Sequence, residues 1–135
     1  MNTFANTKFF SPDHSRTYLS HAGLETDLIF NRGIDLPGFS SYPLVESESG
    51  RALLLEYFAE FVQLASGSGL GVILDSPTWK ANRDRGAELG HTAERIMAAN
   101  KAALELISEC RESAGRPEII LSGQVGPREI GRAHV

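Results

Sequence analysis

Two stretches of helical period, each followed at once by a short unbroken apolar run, constrain this chain most. From Gly50 onward, Leu54, Tyr57, Phe58, Phe61, Val62 and Ala65 fall at helical spacing and draw one apolar stripe down about four turns. Ser66-Gly67-Ser68-Gly69 ends that helix, and Leu70-Gly71-Val72-Ile73-Leu74 reads as a strand buried on both faces. Thr92 is placed to cap a second helix from Ala93 to about Ser113, with Ile96, Ala99, Ala103, Leu106, Ile107 and Cys110 on its inward face. Gly115, Arg116 and Pro117 stop it, and Glu118 to Ser122, centred on Ile119-Ile120-Leu121, is the next strand. A first strand at Thr17–Ser20 precedes a turn at Gly23, a short helix from Glu25 to Arg32 and a left-handed cap at Gly33. Ile34 to Ser49 reads as loop, and Asn82 to Leu89 as a short, partly helical turn closed by Gly90. The order strand, helix, strand, helix, strand requires parallel pairing with right-handed crossovers and predicts strand order one, two, three.

The balance of 13 Lys and Arg against 17 Asp and Glu, a net charge of −4 with no basic run, argues against nucleic acid and anionic membrane as partners. The one cysteine excludes an internal disulfide. No apolar run approaches the ~20 residues of a membrane helix, and the N-terminus lacks the layout of a secretory signal, so a cytoplasmic protein is expected. Met1–Arg16 is polar, aperiodic and contains Pro12, the pattern of a mobile lead-in.

Periodicity alone does not separate an open doubly wound sheet from a barrel, since both begin this way. The dinucleotide fingerprint is missing, because His21-Ala22-Gly23-Leu24-Glu25-Thr26 has one glycine of the three needed, and no P-loop pattern occurs. Three segments tip the choice. The run His21-Ala22-Gly23-Leu24-Glu25-Thr26-Asp27-Leu28, continued through Arg32-Gly33 to Pro37, resembles the opening of the homocysteine S-methyltransferase family. Asp75-Ser76-Pro77-Thr78-Trp79-Lys80-Ala81-Asn82 is similar to the end of that family's second strand, and Ser122-Gly123-Gln124-Val125-Gly126-Pro127-Arg128 to its third strand and the G-P turn behind it. The resemblance runs from about Thr17 to Arg128.

The resemblance implies the N-terminal part of a (β/α)₈ TIM barrel over residues 17–129, a fold that needs about 250 residues, so the 135-residue chain is expected to be a fragment. The last six residues, Ile130-Gly131-Arg132-Ala133-His134-Val135, read as the in-frame translation of a common sequencing adapter and are expected to be non-native.

Working groups of a parallel barrel gather at the C-terminal ends of its strands, which here are Ser20–Thr26, Asp75–Thr78 and Ser122–Gly126. The resemblance implies that His21, Gly23, Glu25, Thr26, Asp75, Ser76, Thr78 and Gly123 belong to a homocysteine pocket. Asp75 and Glu25 are the carboxylates available to an ammonium group. Ser76, Thr78 and the amides around Gly23 and Gly123 are the donors available to a carboxylate, and Trp79 is a pocket wall or plain packing. A structural reading stands beside each: Glu25 capping or pairing within its own helix, and Asp75 satisfying loop amides. His21 stands where the family has an acidic residue, and an imidazole does not replace a carboxylate's attraction for an ammonium. This branch then binds homocysteine differently or takes another substrate.

The family's zinc, bound by cysteines late in the barrel, turns the homocysteine thiol into a thiolate that accepts a methyl group from a sulfonium, quaternary ammonium or folate donor, giving methionine. Cys110 lies on a helix's inward stripe and reads as a small core residue. The intact parent is expected to be a zinc enzyme, while this chain has no catalytic residue or metal ligand of its own and is expected to be inactive. Two alternatives are a non-catalytic small-molecule-binding barrel and an open α/β enzyme of flavodoxin-like or hydrolase type.

Overall fold

Short apolar runs pair in parallel when amphipathic helices carry the chain back between them, and β1 (Tyr18–Ser20), β2 (Gly71–Asp75) and β3 (Ile120–Ser122) do so. The computed structural model describes residues 12–128. The sheet order is β1-β2-β3, with Leu19 opposite Val72 and Leu74 opposite Leu121. The described residues are therefore α/β with a three-stranded parallel sheet, in the strand order expected. A flavodoxin-like order would put β3 on the far side of β1, and the observed order does not. The expected tail at 130–135 and the lead-in through Ser11 lie outside the described residues.

After β1 the chain turns at Gly23, whose φ of 74° is left-handed, into a single helical turn, α1 (Leu24–Thr26), which widens over Asp27–Asn31 into a π-type turn. The widening departs from the plain helix expected. Asp27 holds the five-residue spacing, its carboxylate receiving Arg32 Nε at 2.9 Å while Arg32 N bonds Asp27 O. Gly33 follows at φ 68°, where a left-handed cap was expected. The expected loop 34–49 contains tight turns at Pro37–Phe39 and Tyr42–Glu46. Helix α2 (Glu48–Gly67) begins two residues earlier than the apolar stripe indicates, because the Ser47 hydroxyl accepts from Gly50 N and caps it. Helix α3 (Arg83–Glu88) is the short turn foreseen after Asn82. Helix α4 (Ala93–Ala114) is capped by Thr92 and ended by left-handed Gly115.

The α4 stripe is buried at all six positions named from its period. In α2, Leu54, Phe58, Val62 and Ala65 are buried, while Tyr57 and Phe61 pack at the core's margin. The two long helices pack against each other, joined at the surface by Arg51 and Glu109 at 2.8 Å, and α2 rests on β2 as α4 rests on β3. Both therefore cover the same face of the sheet. Side chains alternate along a strand, and Leu19, Val72, Leu74, Ile119 and Leu121 form the sheet's share of the core beneath the helices. Tyr18, Ser20, Ile73, Asp75, Ile120 and Ser122 project from the opposite face, and Ile73 and Ile120 stand outside the core cluster. Among the described residues no helix is long and apolar enough to cross a membrane.

Candidate functional site

The three segments that follow the strands meet at one end of the sheet, and hydroxyl chemistry joins two of them. Ser76 and Thr78 leave β2 buried, 1% and 5% exposed. Gln124 N, just past β3, donates to Ser76 Oγ at 3.0 Å, and Thr78 Oγ1 donates to Gln124 O at 2.7 Å. The Thr78 hydrogen is thereby used, so the 2.7 Å contact between the two hydroxyls is a bond from Ser76 to Thr78. The result is a closed ring: Gln124 N–H to Ser76, Ser76 to Thr78, Thr78 to Gln124 C=O. Such rings polarise their members cooperatively, and this one leaves neither hydroxyl a hydrogen for a bound carboxylate. Ser76 N also donates to Ser122 O at 2.8 Å. Gly126 then passes so close beneath Trp79 that a Cβ on it would stand 1.9 Å from Trp79 O.

Asp75 ends β2 on the face that carries no helix. It is partly buried, lies opposite Ser122, and among the described residues no group donates a hydrogen bond to its carboxylate. Glu25 reaches away from its own helix: its Oε1 accepts from the buried Ser41 hydroxyl at 2.6 Å, and Ser41 Oγ also lies 3.4 Å from Pro77 O. The capping role open to Glu25 in the sequence is not the one it has. Gly23, Thr26 and Gly123 are exposed around this cluster.

His21 points to the other side of the sheet. Two residues beyond Leu19 it shares that residue's helix-facing side, with its ring edge-on to Tyr57, Phe58 and Phe61 at centroid distances of 5.9, 5.2 and 5.4 Å. Asp75 N donates to its Nε2 at 3.0 Å, which assigns the ring proton to Nδ1. The imidazole thus ties the end of β1 to the backbone of β2, behind the Asp75 carboxylate instead of beside it. Burial pushes its pKa below the ordinary value of 6.5, against the opposing pull of Asp75 and Glu25.

Sequence reasoning named Glu25, Ser76, Thr78 and His21 but not the partners the fold gives them. Ser41 is one of four serines in a loop with no period. Gln124 acts mainly through its backbone, which no side-chain pattern reveals. The Tyr57 and Phe61 rings appear in the stripe, but their contact with His21 spans two elements. The described residues contain no group of three or more His, Cys, Asp or Glu able to hold a metal. Cys110 is a buried core side chain with a thiol pKa raised by burial. No protein-family model matches the chain, and neither the curated proteins nor the solved structures compared with it give a match.

The His21 contacts set an expected pH dependence. Its folded pKa lies below its unfolded one, so the unfolded chain binds more protons as pH falls below 6.5, and stability drops through that window before levelling off. His21→Gln keeps an acceptor for Asp75 N–H but does not titrate. Between pH 7.5 and 5, wild type is expected to lose more stability to denaturant than this variant does. Parallel curves would show that His21 is not the group responsible.

Proposed function

We propose that the three strands open a (β/α)₈ barrel of the homocysteine S-methyltransferase type, and that their C-terminal ends supply the amino-acid-binding part of its pocket. The observation that carries this reading is the Asp75 carboxylate, free of hydrogen-bond donors among the described residues and set at a strand end on the face without helices. In a barrel that face is the interior, and a carboxylate there is suited to a substrate ammonium. Two further features support it: both long helices lie on one side, as in a barrel's outer ring, and the three family-like segments converge at one end of the sheet.

In this reading Asp75 binds the ammonium and Glu25, held by Ser41, adds negative potential. The Ser76–Thr78–Gln124 ring fixes the β3 exit so that the amides around Gly123 face the ligand's carboxylate. His21 acts as a strut behind Asp75, which accommodates its departure from the family's acidic residue. The described residues do not fit a zinc ion, so their contribution is substrate positioning, and methyl transfer to the homocysteine thiolate belongs to the intact parent. The test is the complete reading frame, expressed and supplied with L-homocysteine and, in turn, sulfonium, quaternary ammonium and folate methyl donors. Methionine should form, and Asp75→Asn should raise the KM for homocysteine about ten-fold or more, the loss of a charged partner. Absence of methionine with every donor would overturn the assignment. For the 135-residue chain alone, the expected result is less than a stoichiometric equivalent of zinc after dialysis, measured by metal analysis.

A further inference from the structure

Among the described residues Phe39 is the one non-glycine residue with positive φ, at 58°, and it follows Gly38 at 61°. A Pro-Gly turn explains Gly38, but a bulky side chain in the left-handed region is strained and persists only when its surroundings hold it there. The two left-handed residues swing the chain inward so that Ser40 and Ser41, next in sequence, are each 2% exposed. What holds the turn comes from another loop. Lys80, in the β2 exit, donates from Nζ to Gly38 O at 2.7 Å and sits over the rings of Phe39 and Trp79, 5.8 and 5.3 Å from their centroids. Beneath this latch Ser41 holds the Glu25 carboxylate.

We propose that Pro37–Ser41 is a strap across the strand ends, loaded by the left-handed Phe39 and latched by Lys80, and that its opening releases Glu25 to the pocket. Backbone strain at Phe39 favours the open form. The charged hydrogen bond and the two ring contacts of Lys80 favour the closed one. The strap couples the β1 exit to the β2 exit, so a ligand that draws Lys80 away frees Ser41 and Glu25 together. The strap and its latch rest on contacts within the described residues, whereas the release of Glu25 to a pocket rests on the reading proposed above; the exchange measurements test the strap by itself.

Hydrogen exchange in the full chain tests it, because Phe39 N and Ser40 N donate to Leu36 O and Pro37 O within the strap and report its opening. Lys80→Met should speed exchange at these two amides by about ten-fold, with the amides of Leu106 and Ile107 in α4 unchanged as the check on folding. Lys80→Arg, which keeps the cation and stacks on rings, should stay near wild type. Acrylamide should quench Trp79, the single tryptophan, more readily in Lys80→Met. Phe39→Leu keeps the strain and loses the aromatic ring, so its effect should overlap that of Lys80→Met and the double variant should be less than additive. Phe39→Asn, which tolerates the left-handed region, should exchange more slowly than Phe39→Leu. Unchanged exchange in Lys80→Met would overturn the latch, and so would full additivity in the double variant. Equal exchange in Phe39→Asn and Phe39→Leu would overturn the loading.

Discussion

Phe58→Ala is expected to cost about 3–5 kcal/mol, the usual toll of truncating a fully buried phenylalanine. The ring is 0% exposed at the middle of the α2 stripe and meets the edge of His21 at 5.2 Å and of Tyr57 at 5.5 Å. A domain of this size has about 5–15 kcal/mol to lose, so the urea midpoint should fall by about 1–3 M. Phe30→Ala, at a ring 74% exposed, is the matched control and should shift stability by no more than about 0.5 kcal/mol. The cavity also admits water beside the imidazole, so the His21 pKa should move back up toward 6.5. A stable Phe58→Ala protein with an unmoved His21 titration would mean that α2 does not seat on the sheet as described.

The second large effect is expected at Gly126. An alanine Cβ there would fall 1.9 Å from Trp79 O, 2.7 Å from Trp79 Cδ1 and 2.9 Å from Trp79 C, two of them backbone atoms that no rotamer change relieves. One of the two exit loops must move, at a cost of about 1–3 kcal/mol for overpacking, and the Gln124 bonds to Ser76 and Thr78 go with it. Gly126→Ala should therefore lower the thermal midpoint and shift the Trp79 emission together. Loss of stability with unchanged Trp79 emission would locate the damage elsewhere. A neutral substitution would show that the β3 exit does not run under the β2 exit.

The fold was largely legible because its signals are local. The α4 stripe, the Thr92 cap and the Gly115 stop are each written within a few residues, and the continuous apolar run at Leu70–Leu74 marks β2 without ambiguity. What escaped depends on two segments at once. The π-type widening after Thr26 goes with an Asp27–Arg32 pair at a five-residue spacing, which an α-helical period does not bring together. Ser47 stands as a cap only once Gly50 is seen to donate to it. At the strand ends the sequence shows which residue types gather but not their directions: strand alternation places Asp75 on one face and His21 on the other, so two residues expected in one pocket stand back to back. Ser76 and Thr78 were read as donors to a ligand, whereas their hydrogens close a ring with Gln124, a backbone role that carries no mark in the sequence.

The sheet register has a kinetic consequence. Tyr18 pairs with Gly71 and Ile73 with Ile120, so each strand meets a partner roughly 50 residues along the chain, and among the described residues no hairpin offers a nearer contact to form first. Chain closure over that distance comes before any sheet energy is gained. The locally coded helices α2 and α4 therefore form early and wait, with their apolar stripes uncovered, for strands that arrive late. Sheet pairing is therefore expected to be the slow step of folding, which a stopped-flow refolding rate checks, and the uncovered stripes of α2 and α4 are the surface open to aggregation in that interval.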